Sequence, residues 1–349
     1  METNYSIIIP TLNRAFQLKT TLQSAIDLKY DPRKYEIIIV DNGSRDETKE
    51  LCASIIEDNP TINIKYFFDP IPGLLTGRHK GAQEAKGETL CFLDDDVILS
   101  PKWLIAVSET MENNTDIQLM TGPCLPRFES EQPKFLEHFW NVSPHGGRYC
   151  GWLSLLDFGS EKVEIDPIFV WGLNFIIRKK TFEDLRGFHP DTMPPKFQKY
   201  QGDGETGLSL KAKEKGFKAL YVPEAIVYHQ VPSARLTLSY FENRFYFQGV
   251  CDSYTALRRQ NNLYKTEAMK NSNFVRRIIR LAKRLFKKTY NTVFIDNIDF
   301  SHRNEIKRRL QKKYHEGFKF HQKAYKNNLL VKKWVLKNDY FDYKLPEND

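Results

Sequence analysis

The sequence predicts an α/β fold built on a mainly parallel sheet, and three observations carry that expectation. Apolar runs of strand length alternate with helix-like stretches over the first hundred residues. Three of the four runs end directly in polar residues of ligand-binding types. At 349 residues the chain has the length of roughly two domains of about 150 residues each.

Residues 5–9, 36–40, 62–68 and 89–93 read as buried strands, being short, apolar and bounded by turn residues. Residues 15–28, 46–57 and 76–86 read as helices, opened by cap or turn types at Asn13, Ser44, Asp46 and Thr76. Parallel neighbours need a crossover, and a helix is the usual one, so this rhythm predicts a sheet covered on both faces. Residues 126–167 break it with Pro, Gly and scattered aromatics and read as a long insertion, a candidate acceptor loop. Regular structure is expected again over 168–178, a helix over 205–215 and a strand over 218–222, with Pro232 closing a catalytic domain of residues 1–232. Residues 233–349 should be a basic, helix-rich extension, beginning with a helix over 240–259.

Composition narrows the classes. With 41% hydrophobic and 28% charged residues, the chain is neither fibrous nor disordered throughout. Its formal charge of +8 is uneven: residues 1–250 hold 28 basic and 34 acidic side chains, and residues 251–349 hold 24 and 10. The tail therefore suits an anionic partner. Five widely spaced cysteines without a Cys-x-x-Cys pair indicate neither a disulfide framework nor a zinc site, and they fit a reducing cytosol. No signal core and no run of about 18 apolar residues stands out, so a cytoplasmic protein is expected, at most peripheral on the inner face of a membrane.

The chemistry should gather at strand ends. The first strand runs into Pro10-Thr11-Leu12-Asn13-Arg14, the second into Asp41-Asn42-Gly43-Ser44 and the fourth into Asp94-Asp95-Asp96. In an open parallel sheet the ligand crevice lies outside the carboxyl ends of the strands, where these sets can share one cavity. Three successive carboxylates repel one another unless donors or a cation compensate, and hard oxygen ligands suit Mg2+ or Mn2+. The alternative is an acidic solvated loop.

Taken in order, SIIIPTLNR, IIIVDNGSRDET, PGLLTGRHKGAQEAKGE and FLDDD resemble the family 2 glycosyltransferases over about residues 5–232. The resemblance implies the GT-A fold, a nucleotide-sugar donor and inverting transfer to a hydroxyl of a glycan or lipid-linked saccharide. It further implies that Pro10, Thr11 and Arg14 line the nucleotide pocket and that Asp41 bonds the base or ribose, unless Asp41 only makes an Asx-turn with Ser44. Gly73, Arg78 and Gly81 match a Gly-rich, Arg-containing stretch. His79 replaces the family's usual Asn and reads as a surface residue. Asp94 and Asp96, with Asp95 between them, match the Asp-x-Asp motif that holds ribose and the metal ion. Glu205 or Asp203 would be the general base, although both also suit a helix N-terminus. Trp171 would lie beside the sugar or fill the core, and His229 would complete the metal shell or be structural.

From Phe274 to Tyr290 the apolar residues occupy one half of a helical circle and Arg or Lys the other, a candidate anchor on an anionic membrane surface, with a solvated face as the alternative. No nucleic-acid-reading motif is present, so no nucleic acid is expected. Two other classes fit less well: a nucleotidyltransferase on a similar sheet, and a non-catalytic membrane-associated scaffold.

Overall fold

In the computed structural model, which describes residues 3–264, 304–342 and 344–345, the early alternation becomes a parallel sheet. Strands β1 (Tyr5–Thr11), β2 (Tyr35–Asp41), β3 (Asn63–Phe68) and β4 (Thr89–Phe92) lie in the order β4-β1-β2-β3, with Ile7 opposite both Ile37 and Cys91. β1 and β2 are buried along their whole length because each has a strand on both sides and helices above and below. β3, at the edge, is only partly buried.

Helices α1 (Ala15–Ile26), α2 (Thr48–Asp58) and α3 (Leu74–Glu84) are the crossovers. α1 buries Leu18, Thr21, Leu22 and Ala25, the three-and-four spacing of one helical face. α3 lies tight against β1: a Cβ at Gly81 would fall 2.3 Å from Ile8 Cγ2, and one at Gly77 2.7 Å from Pro10 Cβ. The small residues of this segment thus serve the approach of helix to strand.

β5 (Val97–Leu99), α4 (Trp103–Asn113), β6 (Ile117–Thr121) and β7 (Cys124–Phe128) follow. The segment read as an insertion is built from short strands, β8 (Asn141–Val142), β9 (Arg148–Cys150), β10 (Leu155–Leu156) and β11 (Val163–Ile165). Regular structure returns later than residue 168, at β12 (Phe175–Arg178). Pro167 lacks an N–H and the Asp166 side chain caps a 3-10 turn there, so residues 167–174 form two short turns instead of a strand. α5 (Lys179–Asp184), α6 (Gly204–Glu214), β13 (Lys218–Tyr221) and β14 (Val227–Val231) complete the α/β region.

Two sheets result. The larger has the order β11-β13-β6-β12-β4-β1-β2-β3, with β12 antiparallel between β4 and β6. The smaller has the order β5-β14-β7-β10-β9-β8 and brings β14 beside β5, just after the acidic triplet. A helical C-terminal region follows, α7 (Leu238–Gln260), α8 (Asn304–Asn327) and α9 (Leu329–Leu336). α7 holds the former insertion through an aromatic core, with Phe139 stacked on Phe241 at 4.4 Å and Trp152 on Phe245 at 3.9 Å. Among the described residues no helix is long and apolar enough to cross a membrane. The basic stretch 274–290 lies outside the described residues.

Candidate active site at the carboxyl ends of the strands

The polar strand ends are tied together. Thr11 Oγ1 donates to Asp95 Oδ2 at 2.7 Å, and Arg14 reaches Asp95 at 2.9 Å and Asp96 at 2.7 Å. The loops after β1 and β2 are laced by Asn13, whose N–H donates to Ser44 Oγ and whose Oδ1 accepts from Arg45 N–H. Asn42 Nδ2 donates to Thr76 Oγ1 at 2.8 Å, which joins the end of β2 to the start of α3. Pro10 packs its ring toward α3 at Gly77, and Gly73 stands at the N-cap of α3 with φ +114°.

Asp95 and Asp96 are buried, and arginines neutralise the triplet on all sides. Arg235, in the turn between β14 and α7, reaches Asp96 Oδ2 at 3.1 Å and His229 Nε2 at 2.7 Å. Burial pushes Asp95 up to about 7 against the pull of Arg14. Burial also raises Asp94, opposed by Arg78. In Asp96 burial acts the same way, but the facing cations, Arg14 and Arg235 among them, reverse it and hold the carboxyl below its ordinary value.

The donor set suits a hard divalent cation. Among the described residues Asp96 Oδ1 is buried without a hydrogen-bond partner, an acceptor left open. His229 Nδ1 lies 3.0 Å from the Leu153 carbonyl, which must accept, so the ring proton sits on Nδ1 and the Nε2 lone pair faces Asp96 Oδ2 at 3.5 Å. Two acceptors at that distance need a cation between them, the place Arg235 takes. Among the described residues no three Cys, His, Asp or Glu side chains form a complete protein cage, so waters and phosphate oxygens would have to supply the other ligands.

A second network joins the triplet to α6. Arg78, 2% exposed, lies 3.1 Å from Asp94 Oδ1 and 3.4 Å from Glu205 Oε2. Glu205 Oε1 accepts from Gly172 N–H at 3.3 Å, which places the carboxylate beside the Trp171 turn. Trp171 is half-buried, donates its indole N–H to the Ile168 carbonyl and packs on Tyr149 and Phe169. Asp191 stands within electrostatic reach of Glu205 and Arg78; burial and the Glu205 charge push it up to about 6.

Three residues stand elsewhere or are already engaged. Asp203 faces inward, away from this network, toward His189, Thr255 and Tyr264. Asp41 makes the Asx-turn, accepting from Gly43 and Ser44 N–H, while its other oxygen accepts from Tyr66 Oη at 2.7 Å. His79 is not at the surface. α3 is covered on its far side by Phe182, Phe188 and Phe341, so His79 is fully buried, accepts from Phe188 N–H at 2.8 Å and is pushed down to about 3 by burial. Sequence reasoning overlooked Arg235 and Asp191, which lie in turns without periodicity; a charge directly after Pro190 and one three residues after Pro232 were their signals.

Residues 6–162 match the family model for glycosyl transferase family 2. A glucosyl-dolichyl phosphate glucuronosyltransferase from Haloferax volcanii is 23% identical over 249 residues, 70% of this chain and 74% of the relative. Glycosyltransferase AglE from the same organism is 34% identical over 119 residues, 34% of this chain and 38% of that protein's length. Among solved structures, a mannosyltransferase from Pyrobaculum calidifontis, in complex with GDP-Man and Mn2+, superposes with a TM-score of 0.56 at 15% identity, over 91% of this chain and 87% of its own. That likeness shows the fold, a GT-A-like mixed α/β architecture. Over residues 6–162 the chain is thus similar to the family 2 glycosyltransferases, on a GT-A-like fold.

Proposed function

We propose that this protein moves a sugar from a nucleoside diphosphate to a hydroxyl of a glycan or lipid-linked saccharide, with inversion and with help from Mn2+ or Mg2+. The observation that supports it most is the continuous charge network from Thr11 and Arg14 through Asp95 and Asp96 to His229, with Asp94, Arg78 and Glu205 alongside. Pro10, Thr11, Arg14, Asp41, Gly73, Arg78 and Asp95 line the nucleotide side in this reading, and Trp171 lies near the sugar. Asp41 keeps acceptor capacity for a base or ribose, because a carboxylate has about four lone-pair sites and only three are used.

Asp96 and His229, with Asp94 within the same charge network, would hold the metal ion. Bound there, it supplies Lewis-acid assistance to the departing nucleoside diphosphate. Arg14 and Arg235, which neutralise the triplet in the free protein, are placed to take diphosphate oxygens. Glu205 is the general base: fixed at the first turn of α6 and partly exposed, it takes the proton of the attacking hydroxyl.

The name of the Haloferax relative supports an acceptor on a polyprenyl-type lipid carrier. Such an acceptor sits in a bilayer leaflet, so peripheral attachment at the cytoplasmic face through the basic pattern of residues 274–290 belongs to the same reading. Retention on anionic vesicles no better than on neutral ones at low salt would sink that part alone.

A panel of nucleotide-sugars, with and without Mn2+, tests the whole. The cognate donor should raise Tm only with metal, by about 2.7 kcal/mol of stability at one hundred times its Kd, and should slowly release a nucleoside diphosphate. Release of pyrophosphate from a nucleoside triphosphate instead would favour a nucleotidyltransferase.

A further inference from the structure

The residue just before α6 has surroundings that its sequence position does not suggest. Asp203 is the N-cap of α6, yet its side chain makes no capping hydrogen bond to that helix. It turns inward and is 7% exposed. Oδ1 lies 2.7 Å from His189 Nδ1; Oδ2 accepts from Thr255 Oγ1 at 2.5 Å and from Tyr264 Oη at 3.0 Å. Tyr264 Oη also lies 3.0 Å from His189 Nδ1, and the two rings stack 6.0 Å apart. Thr255 lies on α7 and Tyr264 just beyond it, so the carboxylate is gripped by the C-terminal region.

The helix is shaped to permit this grip. A Cβ at Gly207 would fall 2.1 Å from His189 Nδ1 and 2.4 Å from Asp203 Oδ1, so only glycine lets the first turn of α6 lie over the pair. The layer behind is polar and closed. Arg258 donates to the Val335 and Lys337 carbonyls and lies over the rings of Tyr254, Tyr264 and Tyr340. Tyr254 Oη and Tyr340 Oη bond to each other, and Tyr340 continues to the Trp334 carbonyl at the end of α9. Burial pushes His189 down to about 3, which leaves the ring neutral with Nδ1–H as donor; burial acts to raise Asp203, but His189, Thr255 and Arg258 together reverse it and hold the carboxyl below its ordinary value.

We propose that Asp203 is a positioning residue: a buried anion, held by His189, Thr255 and Tyr264, that fixes the turn before α6 and so aims Glu205 at the acceptor hydroxyl. This rests on Glu205 as base. The C-terminal region thereby becomes part of the catalytic geometry, since two of the three groups that hold the anion come from residues 255–264. Both Asp203 oxygens are engaged and neither faces the Arg78 network, so the carboxylate has no route to an acceptor proton.

The test measures kcat, donor KM and Tm for the full chain carrying Asp203→Asn, Tyr264→Phe and both. Asp203→Asn should lower kcat by about 10- to 100-fold with donor KM within about twofold, the loss expected when a reacting group is misplaced by about 1 Å. Tyr264→Phe, which removes one hydroxyl, should lower kcat by about 3- to 10-fold, and the double variant should be no slower than Asp203→Asn, because the two substitutions break one unit. In Asp203→Asn kcat should still fall toward low pH, since the base is still present. Unchanged kcat in a folded Asp203→Asn, additive losses in the double variant, or disappearance of the acid limb would each overturn the assignment, the last by making Asp203 the base. If Asp203→Asn does not fold, Tyr264→Phe decides alone: normal kcat with normal Tm refutes the proposal. Full activity in Glu205→Gln would instead defeat the reading of Glu205 as base, whatever the Asp203 variants do.

Discussion

Glu205 and Asp203 are two residues apart, carry the same functional group and have opposite surroundings. Glu205 sits at a partly open mouth beside Arg78 and the Gly172 amide, whereas Asp203 is enclosed by donors. Glu205→Gln keeps the shape and, with one oxygen in place of two, one of the two accepted contacts, so donor binding should persist while kcat falls by about 10²- to 10⁴-fold, the range for loss of a general base; a fully active Gln variant would move that role to Asp191. Asp96→Ala removes the buried unpartnered oxygen, and the metal-dependent rise in Tm with the cognate donor should vanish. His79 gives a pH prediction. Its folded pKa of about 3 lies below the ordinary 6.5, so the neutral ring's contribution is complete above pH 6.5 and is lost as pH falls toward 3. At pH 5.5 the wild type should have lost roughly 1 kcal/mol relative to His79→Gln, compared with their difference at pH 7.5, measured by urea unfolding of both proteins.

At the scale of elements, α3 links sheet to chemistry. Its glycines let it lie against β1, and that contact sets the height at which Arg78 bridges Asp94 and Glu205. Gly81→Ala would drive a methyl into Ile8, and the overpacking should cost roughly 1–3 kcal/mol in chemical denaturation. A loss below about 0.5 kcal/mol would show that α3 can retreat freely. The strand-and-helix rhythm of residues 5–93 was legible because burial on both faces leaves uninterrupted apolar runs, while crossover helices keep their own period. β8 to β10 were not legible. Each is two or three residues long and is held by pairing with distant partners such as Cys124 and by aromatic packing on α7, neither of which leaves a local period.

Across the whole molecule, the helical C-terminal region is joined to the α/β region beneath the site. Trp334 of α9 is buried and donates its indole N–H to the Tyr200 carbonyl, three residues before Asp203. Trp334→Ala should destabilise the protein by about 3–5 kcal/mol. It should also lower kcat more than donor KM, read by steady-state kinetics at a temperature where the variant remains folded; an unchanged kcat would show that the C-terminal region only adds stability.

By itself the sequence determined the strand-and-helix alternation of residues 5–93, the resemblance to a family and the polar sets at the strand ends, because these depend on local periodicity and on residue types adjacent along the chain. Only the tertiary structure decided that arginines from three separate segments neutralise the acidic triplet, that His79 is buried, and that Asp203 turns inward while Glu205 turns out. Each of these depends on which residues meet after folding, and a side chain's charge, exposure and direction are set by neighbours that lie 14 to 139 positions away.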